Sequence, residues 1–249
     1  MDKKAYFLAD LHLGSVCGDE AHEAERSVVR FLDSVAGDMG ELYLLGDILD
    51  YWFEYKYVVP RGFVRFFGKL AELSDRGVKI TWIIGNHDIW IFDYLPKELG
   101  ITVLDGMLET DVLGTRFSMQ HGDAIGGTLK FRIMRRFFRN RFCQKLYSAI
   151  HPRLTVGFAY GCSRRSRMKE MMIGEWPLNL RESIRKWCER RIEEGDKSEY
   201  FVFGHLHNAA EEELPDGRKM IVLPPWILKR GYAVFDGHSF RIDTFRSER

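Results

Sequence analysis

The strongest constraint on the fold is a repeated association: a short apolar run that closes on a small cluster of Gly, Asp, Asn and His. Ala5-Tyr6-Phe7-Leu8-Ala9 ends at Asp10-Leu11-His12, Leu42-Tyr43-Leu44-Leu45 at Gly46-Asp47-Ile48-Leu49-Asp50, and Lys79 to Ile84 at Gly85-Asn86-His87-Asp88. Runs this short, bounded by turn residues, have the pattern of buried strands. Between them Glu20 to Val35 and Arg61 to Arg76 have helical periodicity, the second with Phe63, Phe66, Phe67, Leu70 and Leu73 on one face. Strand alternating with helix predicts a largely parallel sheet. Toward the C-terminus, Tyr200 to Phe203, Met220 to Leu223, Tyr232 to Phe235 and Phe240 to Phe245 are strands with hairpin-like connections such as Asp236-Gly237, which predicts a second, more antiparallel sheet. The expected class is α/β (α+β), two packed sheets flanked by helices, in a single domain over 1–249.

One segment departs from this plan. From Ala124 through Lys169 there is no acidic residue, although the chain as a whole carries a net charge of only +1. Thr128 to about Ile150 interleaves Phe131, Met134, Phe137, Phe138, Phe142, Leu146 and Ile150 with Arg132, Arg135, Arg136, Arg139 and Arg141, which reads as one amphipathic helix whose apolar stripe packs in part on the body of the fold. Further helices are expected over Ser163 to Met172 and Leu178 to Ile192. The region of about 127–175 is thus a basic, aromatic helical insertion, and something anionic should meet it. Cys17, Cys143, Cys162 and Cys188 have no metal-binding or disulfide spacing, and no stretch has the length of a membrane span, so the expected setting is cytoplasmic.

The strand-end clusters carry the chemistry. Ligands of open α/β sheets sit beyond the carboxyl ends of the strands, so the three clusters belong to one site. Two more follow β-like segments: His121-Gly122-Asp123 after Phe117 to Gln120, and Gly204-His205-Leu206-His207 after Tyr200 to Phe203. Carboxylate, imidazole and amide oxygen without thiolate suit divalent ions such as Mn²⁺, Mg²⁺, Fe²⁺ or Zn²⁺. In Asp10-x-His12 and His205-x-His207 the two side chains are expected on one side of an extended backbone. A carboxylate such as Asp47 can bridge two metals. Any one cluster could be an ordinary turn or helix cap; five, each after a strand, are hard to obtain from turns alone.

The ordered set Asp-x-His, Gly-Asp-x-x-Asp, Gly-Asn-His-Asp, His and Gly-His-x-His resembles the calcineurin-like metallophosphoesterase superfamily over almost the whole chain. That resemblance implies a four-layer α/β/β/α sandwich with two divalent ions, manganese being the expected metal. Asp10, His12, Asp47 and His207 would hold one ion, and Asp47, Asn86, His121 and His205 the other. His87, held by Asp88, would stabilise transition-state charge or protonate a leaving oxygen. Within the superfamily the chain is most similar to the UDP-2,3-diacylglucosamine diphosphatases of lipid A synthesis. The features that carry this are the aromatic tail of Gly46 to Trp52, His121-Gly122-Asp123, the basic insertion, and Val222-Leu223-Pro224-Pro225-Trp226. His87 is a departure, since many of those enzymes carry Arg there.

The spacing between successive clusters supports the insertion as the specificity element. Asp10 to Asp47, Asp47 to Asn86 and Asn86 to His121 span 37, 39 and 35 residues, but His121 to His205 spans 84. A helix rich in both Phe and Arg suits an acylated, phosphorylated lipid, with an apolar slot beside cations. The expectation is a movable lid, with Asn86, Asp123, Ser163, Arg164, Arg165, Arg167 and Lys169 reaching the substrate, and weak attachment to an anionic membrane on its cytoplasmic face. No nucleic-acid partner is expected. The competing functions are a nuclease, a cyclic-nucleotide phosphodiesterase or a protein phosphatase with the same metals, and a metal-free scaffold.

Overall fold

The computed structural model describes residues 3–15, 19–126, 129–173 and 178–246, with side chains at all of these except 19, 130, 131, 164–173, 178 and 179. The chain runs β1 (Lys4–Leu8), α1 (Asp19–Val35), β2 (Met39–Leu45), α2 (Val64–Asp75), β3 (Lys79–Ile83), α3 (Tyr94–Leu99), β4 (Thr102–Leu104), β5 (Leu108–Val112) and β6 (Thr115–Gln120). Then follow α4 (Leu129–Phe138), α5 (Arg141–Ser148), α6 (Pro152–Ile173), α7 (Leu178–Glu193), β7 (Tyr200–Phe203), β8 (Ala210–Glu213), β9 (Lys219–Val222), α8 (Trp226–Lys229), β10 (Gly231–Phe235) and β11 (Phe240–Thr244). One sheet has the order β11-β10-β1-β2-β3-β4 and the other β5-β6-β7-β9-β8.

Alternation along the strands creates the layers. Phe7, Tyr43, Leu45 and Ile83 of the first sheet meet Phe117, Met119, Val202 and Ile221 of the second in a core between the sheets. Phe7 stacks on Tyr43 at 5.2 Å and on Phe117 at 5.8 Å between ring centroids. Tyr6, Leu8, Leu42, Leu44 and Trp82 point the other way, into a core with Phe31, Leu32, Phe66 and Leu70 of α1 and α2. Phe201, Phe203 and Met220 cover the outer face of the second sheet with Ile184 and Cys188 of α7. Each fully buried Phe or Leu contributes about 2 kcal/mol of transfer free energy. The result is the expected α/β/β/α order of layers.

Several expectations need correction. The second sheet is mixed, because β6, β7 and β9 are parallel and only its edge strands β5 and β8 are antiparallel. β10 and β11 belong to the first sheet, β10 pairing antiparallel with β1 through Ala5↔Phe235 and Phe7↔Ala233. The crossing from β9 is made by Pro224-Pro225-Trp226, with the Trp226 amide donating to the Ala9 carbonyl at 3.2 Å. α2 starts three residues later than expected, since Gly62 and Phe63 are left-handed, with φ of 114° and 61°. Glu25 of α1 supplies the cap that Phe63 cannot, accepting from the Arg65 and Phe66 amides at 2.7 and 3.1 Å.

The insertion differs most. Its first helix is two: α4 ends at Phe138, and Asn140 restarts the chain as the N-cap of α5, its side chain accepting from the Phe142 and Cys143 amides. The helix expected over Ser163 to Met172 is the second half of the longer α6. At 100° per residue, Arg132, Arg135, Arg136 and, one residue past the helix, Arg139 fall in one sector, Ile133, Met134 and Phe137 in the opposite one, and Leu129 at the border beside Arg136. Arg135 and Arg139 face the body, Arg135 Nε lying 2.8 Å from Asp123 and Arg139 Nε 3.0 Å from Asp105, while Arg132 and Arg136 are exposed. The apolar sector faces outward, the reverse of an ordinary surface helix, because buried Asp123 offers a cation a partner and offers an apolar side chain none. α5 and α6 dock through aromatic and hydroxyl contacts to the loop after β2. Tyr147 packs on Phe53 and Trp90, Tyr51 Oη lies 3.0 Å from Tyr147 Oη, and Tyr55 Oη lies 2.6 Å from Thr155 Oγ1.

Candidate metal centre

Five parallel strand ends deliver the donors: β1 carries Asp10 and His12, β2 Asp47, β3 Asn86 and His87, β6 His121, and β7 His205 and His207. The loops after β1 and β2 continue to pair beyond the strands, with the amides of Asp10 and His12 donating to the carbonyls of Gly46 and Asp47 at 3.1 and 2.9 Å. The two sheets are joined at the same end, where the His205 amide donates to Asp10 Oδ2 at 3.0 Å.

The ligand loops are not extended, contrary to the expectation for Asp10-x-His12 and His205-x-His207. Asp10, His12, Asp47, His205 and His207 all have positive φ, from 45° to 66°. Left-handed backbone costs non-glycine residues of order 1 kcal/mol each, so five instances on one surface are strain held in place by the surrounding fold. Gly46 and Gly85 explain why glycine precedes the donors. A Cβ on Gly46 would lie 2.5 Å from His121 Nδ1, and one on Gly85 2.2 Å from Asp47 Oδ1.

Each buried carboxylate spends one oxygen on the backbone and presents the other. Asp10 Oδ2 accepts from His205, while Oδ1 makes no hydrogen bond and lies 3.3 Å from His207 Nε2. Asp47 Oδ1 accepts from the His87 amide at 2.8 Å, while Oδ2 lies 3.3 Å from His121 Nε2. His121 Nδ1 is 2.8 Å from the Leu45 carbonyl, which can only accept, so Nδ1 carries a proton and Nε2 is the coordinating atom. That Nε2 is 3.2 Å from Asn86 Oδ1, and the Nε2 atoms of His12 and His207 are 3.2 Å apart. The ligand atoms thus converge on one another, and Asp10 Oδ1 among them is buried without a hydrogen bond. Three overlapping groups, Asp10/His12/His207, His12/Asp47/His87 and Asp47/His121/His205, each keep their ligand atoms within 4.8 Å. The donor chemistry and the buried Asp10 Oδ1 fit a pair of divalent cations.

Protonation of the bare protein reflects the same crowding. Burial opposes the charge of Asp47, but His121, His87 and His12 outweigh it and hold the carboxyl well below the usual range. Burial likewise opposes charge on His121, yet Asp47 raises it to about 10. Burial, reinforced by His121, lowers His205 to about 4. A proton on His121 is therefore what a bound cation would displace.

The residues around the donors depart from expectation in two places. Asp88 does not hold His87. It is fully buried and accepts from the amides of Gly85 at 2.7 Å and Ile48 at 3.0 Å and from Trp82 Nε1 at 3.1 Å, tying the Asp47 loop to the Asn86 loop. Burial and the Asp47 charge raise its carboxyl to about 6. His87 is held by Asp50 and Ser163: Nδ1 lies 3.0 Å from the Asp50 carbonyl, 2.9 Å from Ser163 Oγ and 3.6 Å from Asp50 Oδ1. Asp50 Oδ1 is also 3.5 Å from His12 Nδ1. Ser163 is thus a contact of the imidazole, brought there by α6, and Asp123 is an anchor for Arg135 and Arg139 rather than an open substrate contact. The side chains of Arg164, Arg165, Arg167 and Lys169 lie outside those described. Asp105 and Tyr147 had no sequence signal, being joined to the site only by packing of the insertion.

The chain matches the model of the calcineurin-like phosphoesterase family over residues 3–209. It is similar to a UDP-2,3-diacylglucosamine hydrolase of Porphyromonas gingivalis, with 39% identity over 98% of each chain. It is also 27% identical to the protein of that name in Neisseria meningitidis and 24% identical to that of Shewanella halifaxensis, over 90% of each chain.

Proposed function

The chain belongs to the calcineurin-like phosphoesterase family, and from that premise we propose that it is a divalent-metal-dependent hydrolase that cleaves UDP-2,3-diacylglucosamine to UMP and 2,3-diacylglucosamine 1-phosphate. Asp10, His12, Asp47 and His207 would hold one ion and Asp47, Asn86, His121 and His205 the second, both manganese. Bound there, the ions would supply activation of a water nucleophile and stabilisation of charge on the phosphoryl oxygens. The protein's own part is positional. Asp47 stands between the two donor groups, Asp88 ties together the loops that carry Asp47 and Asn86, and the His87 Nδ1 proton is committed to Asp50 and Ser163. His87 Nε2 is then the ring atom left to act: in the imidazolium it would give its proton, or a hydrogen bond, to the departing oxygen, a modest task because a phosphate leaving group is weakly basic.

The observation that carries the substrate class is the orientation of α4. Of the seventeen large apolar side chains exposed among the described residues, ten lie between Leu129 and Phe158, including Phe137, Phe142 and Phe158. Arginines that reach the loops carrying the donors, Arg135 at Asp123 and Arg139 at Gly85, beside an exposed apolar face suit a substrate with a phosphorylated end and acyl chains. The insertion, about 127–175, would act as its lid, and Arg164, Arg167 and Lys169 are further proposed contacts to phosphate. No helix among the described residues is long and apolar enough to cross a membrane. The same exposed face supports reversible attachment to the cytoplasmic surface of the inner membrane, each basic residue near anionic lipid contributing about 1 kcal/mol. The deciding experiment incubates the protein with Mn²⁺ and UDP-2,3-diacylglucosamine. UMP release that EDTA abolishes supports the proposal, and an intact substrate under those conditions refutes it. Sedimentation with anionic and neutral vesicles at low and high salt tests attachment, and absence of binding in all four conditions restricts the apolar face to the substrate.

A further inference from the structure

The groove between α4 and the loop after β6 encloses about 570 Å³ and is lined by Arg132, Arg135, Arg136, Arg139 and Arg141 beside Asp123. It adjoins the metal centre on two sides. Asp123 is two residues beyond His121, and Arg139 Nη2 donates to the Gly85 carbonyl at 3.3 Å, one residue before Asn86. Arg135 and Arg139 are matched by Asp123 and Asp105. Arg132, Arg136 and Arg141 are exposed, and among the described residues no carboxylate pairs with them.

Three exposed guanidinium groups lining one concavity repel one another weakly through water, and a polyvalent anion relieves all three at once. Guanidinium forks match the oxygens of a phosphoryl group, and the volume is that of a small-ligand site. A membrane headgroup is the other source of phosphate, since Arg132 and Arg136 are exposed and flank the apolar sector of α4, and the vesicle arm of the test separates the two. We infer that this groove is a second phosphate site, which binds the phosphoryl group of a diphosphate ester that the metal centre does not hold. The identity of that ester rests on the substrate reading above. The groove lets the enzyme prefer diphosphates to isolated phosphates without any change in the metal ligands.

The test compares the manganese-loaded full chain with the Arg132→Gln, Arg136→Gln, Arg141→Gln triple variant. Each is titrated calorimetrically with methylenediphosphonate and, separately, with inorganic phosphate. The wild type should bind the diphosphonate about tenfold or more tightly than phosphate, and the triple variant should lose that increment, as loss of one charge-assisted contact implies. Arg136→Glu alone should lose at least as much, and circular dichroism melting verifies that both variants are folded. Equal weakening of both probes, or an increment retained in the variants, overturns the proposal. A variant that keeps the increment but no longer sediments with phosphatidylglycerol vesicles overturns it in favour of headgroups. If the increment depends on these arginines while the wild type releases no UMP from UDP-2,3-diacylglucosamine, the site stands and the substrate reading falls.

Discussion

Gly85→Ala should disable the metal centre although it replaces no ligand residue. The added Cβ would sit 2.2 Å from Asp47 Oδ1 and 2.4 Å from the Asp47 amide nitrogen. Ordinary contact begins at 3.4 Å, so the carboxylate and its backbone must retreat by about 1.2 Å. Metal-ligand distances tolerate about 0.2 Å, and a 1 Å misplacement in an active site can cost about 100-fold in rate. Asp47 stands in two of the three donor groups, so the retreat disturbs both ions. We expect metal content below half of wild type after desalting and turnover of a chromogenic phosphodiester reduced by about 100-fold or more. Gly68→Ala is the control. No atom lies within 4 Å of the added methyl in α2, so stability should rise by about 0.5 kcal/mol with activity intact. The assay pairs plasma emission metal analysis with steady-state kinetics. Gly85→Ala protein that retains full metal and wild-type turnover would show that Asp47 is not where the chemistry depends on it.

Asp47→Ala should abolish metal retention and turnover, whereas Asp50→Ala should keep most of the metal and lower kcat, since Asp50 acts through His12 and His87; equal metal loss in the two variants contradicts that division. Ser163→Ala removes one of the contacts at His87 Nδ1, worth about 1 kcal/mol, so kcat should fall roughly fivefold with KM unchanged, and Ser163→Thr should restore it. A change confined to KM would instead mark Ser163 as a substrate contact. The last concerns acid stability. Burial works against the charge on Asp38, but hydrogen bonds from Lys4 at 2.6 Å and Tyr6 at 2.8 Å hold its carboxyl below 3.8. A carboxyl depressed by folding contributes stability above its unfolded pKa and loses it as pH falls through the folded value. Asp38→Asn should therefore melt lower than wild type at pH 6, with the gap closing below pH 3.8, and a gap independent of pH would assign the effect to packing.

The residues that hold the site were legible because their chemistry and their backbone demands coincide in sequence. Asp47 follows Gly46 and Asn86 follows Gly85 because the donors crowd too closely for a Cβ, so a close-approach glycine marks each loop. Two-residue alternation in the strands gave the inner and outer faces of the sheets for the same local reason. What could not be read depends on contacts between distant segments. Nothing in Tyr232 to Phe235 says that it pairs with β1 instead of β9, since an antiparallel partner is chosen by the crossing at Trp226 and by the inter-sheet space that Phe235 fills. The sequence points to Asp88 as the partner of His87, being its neighbour, and to Ser163 as a substrate contact. The fold turns Asp88 toward three buried N–H groups and brings Ser163 from 76 residues away on α6. The periodicity of α4 likewise defines two faces without saying which turns inward. Burying Asp123 under the helix decides it, because a carboxylate removed from water requires a cation within reach, and that requirement outweighs the tendency of the apolar stripe to seek the core.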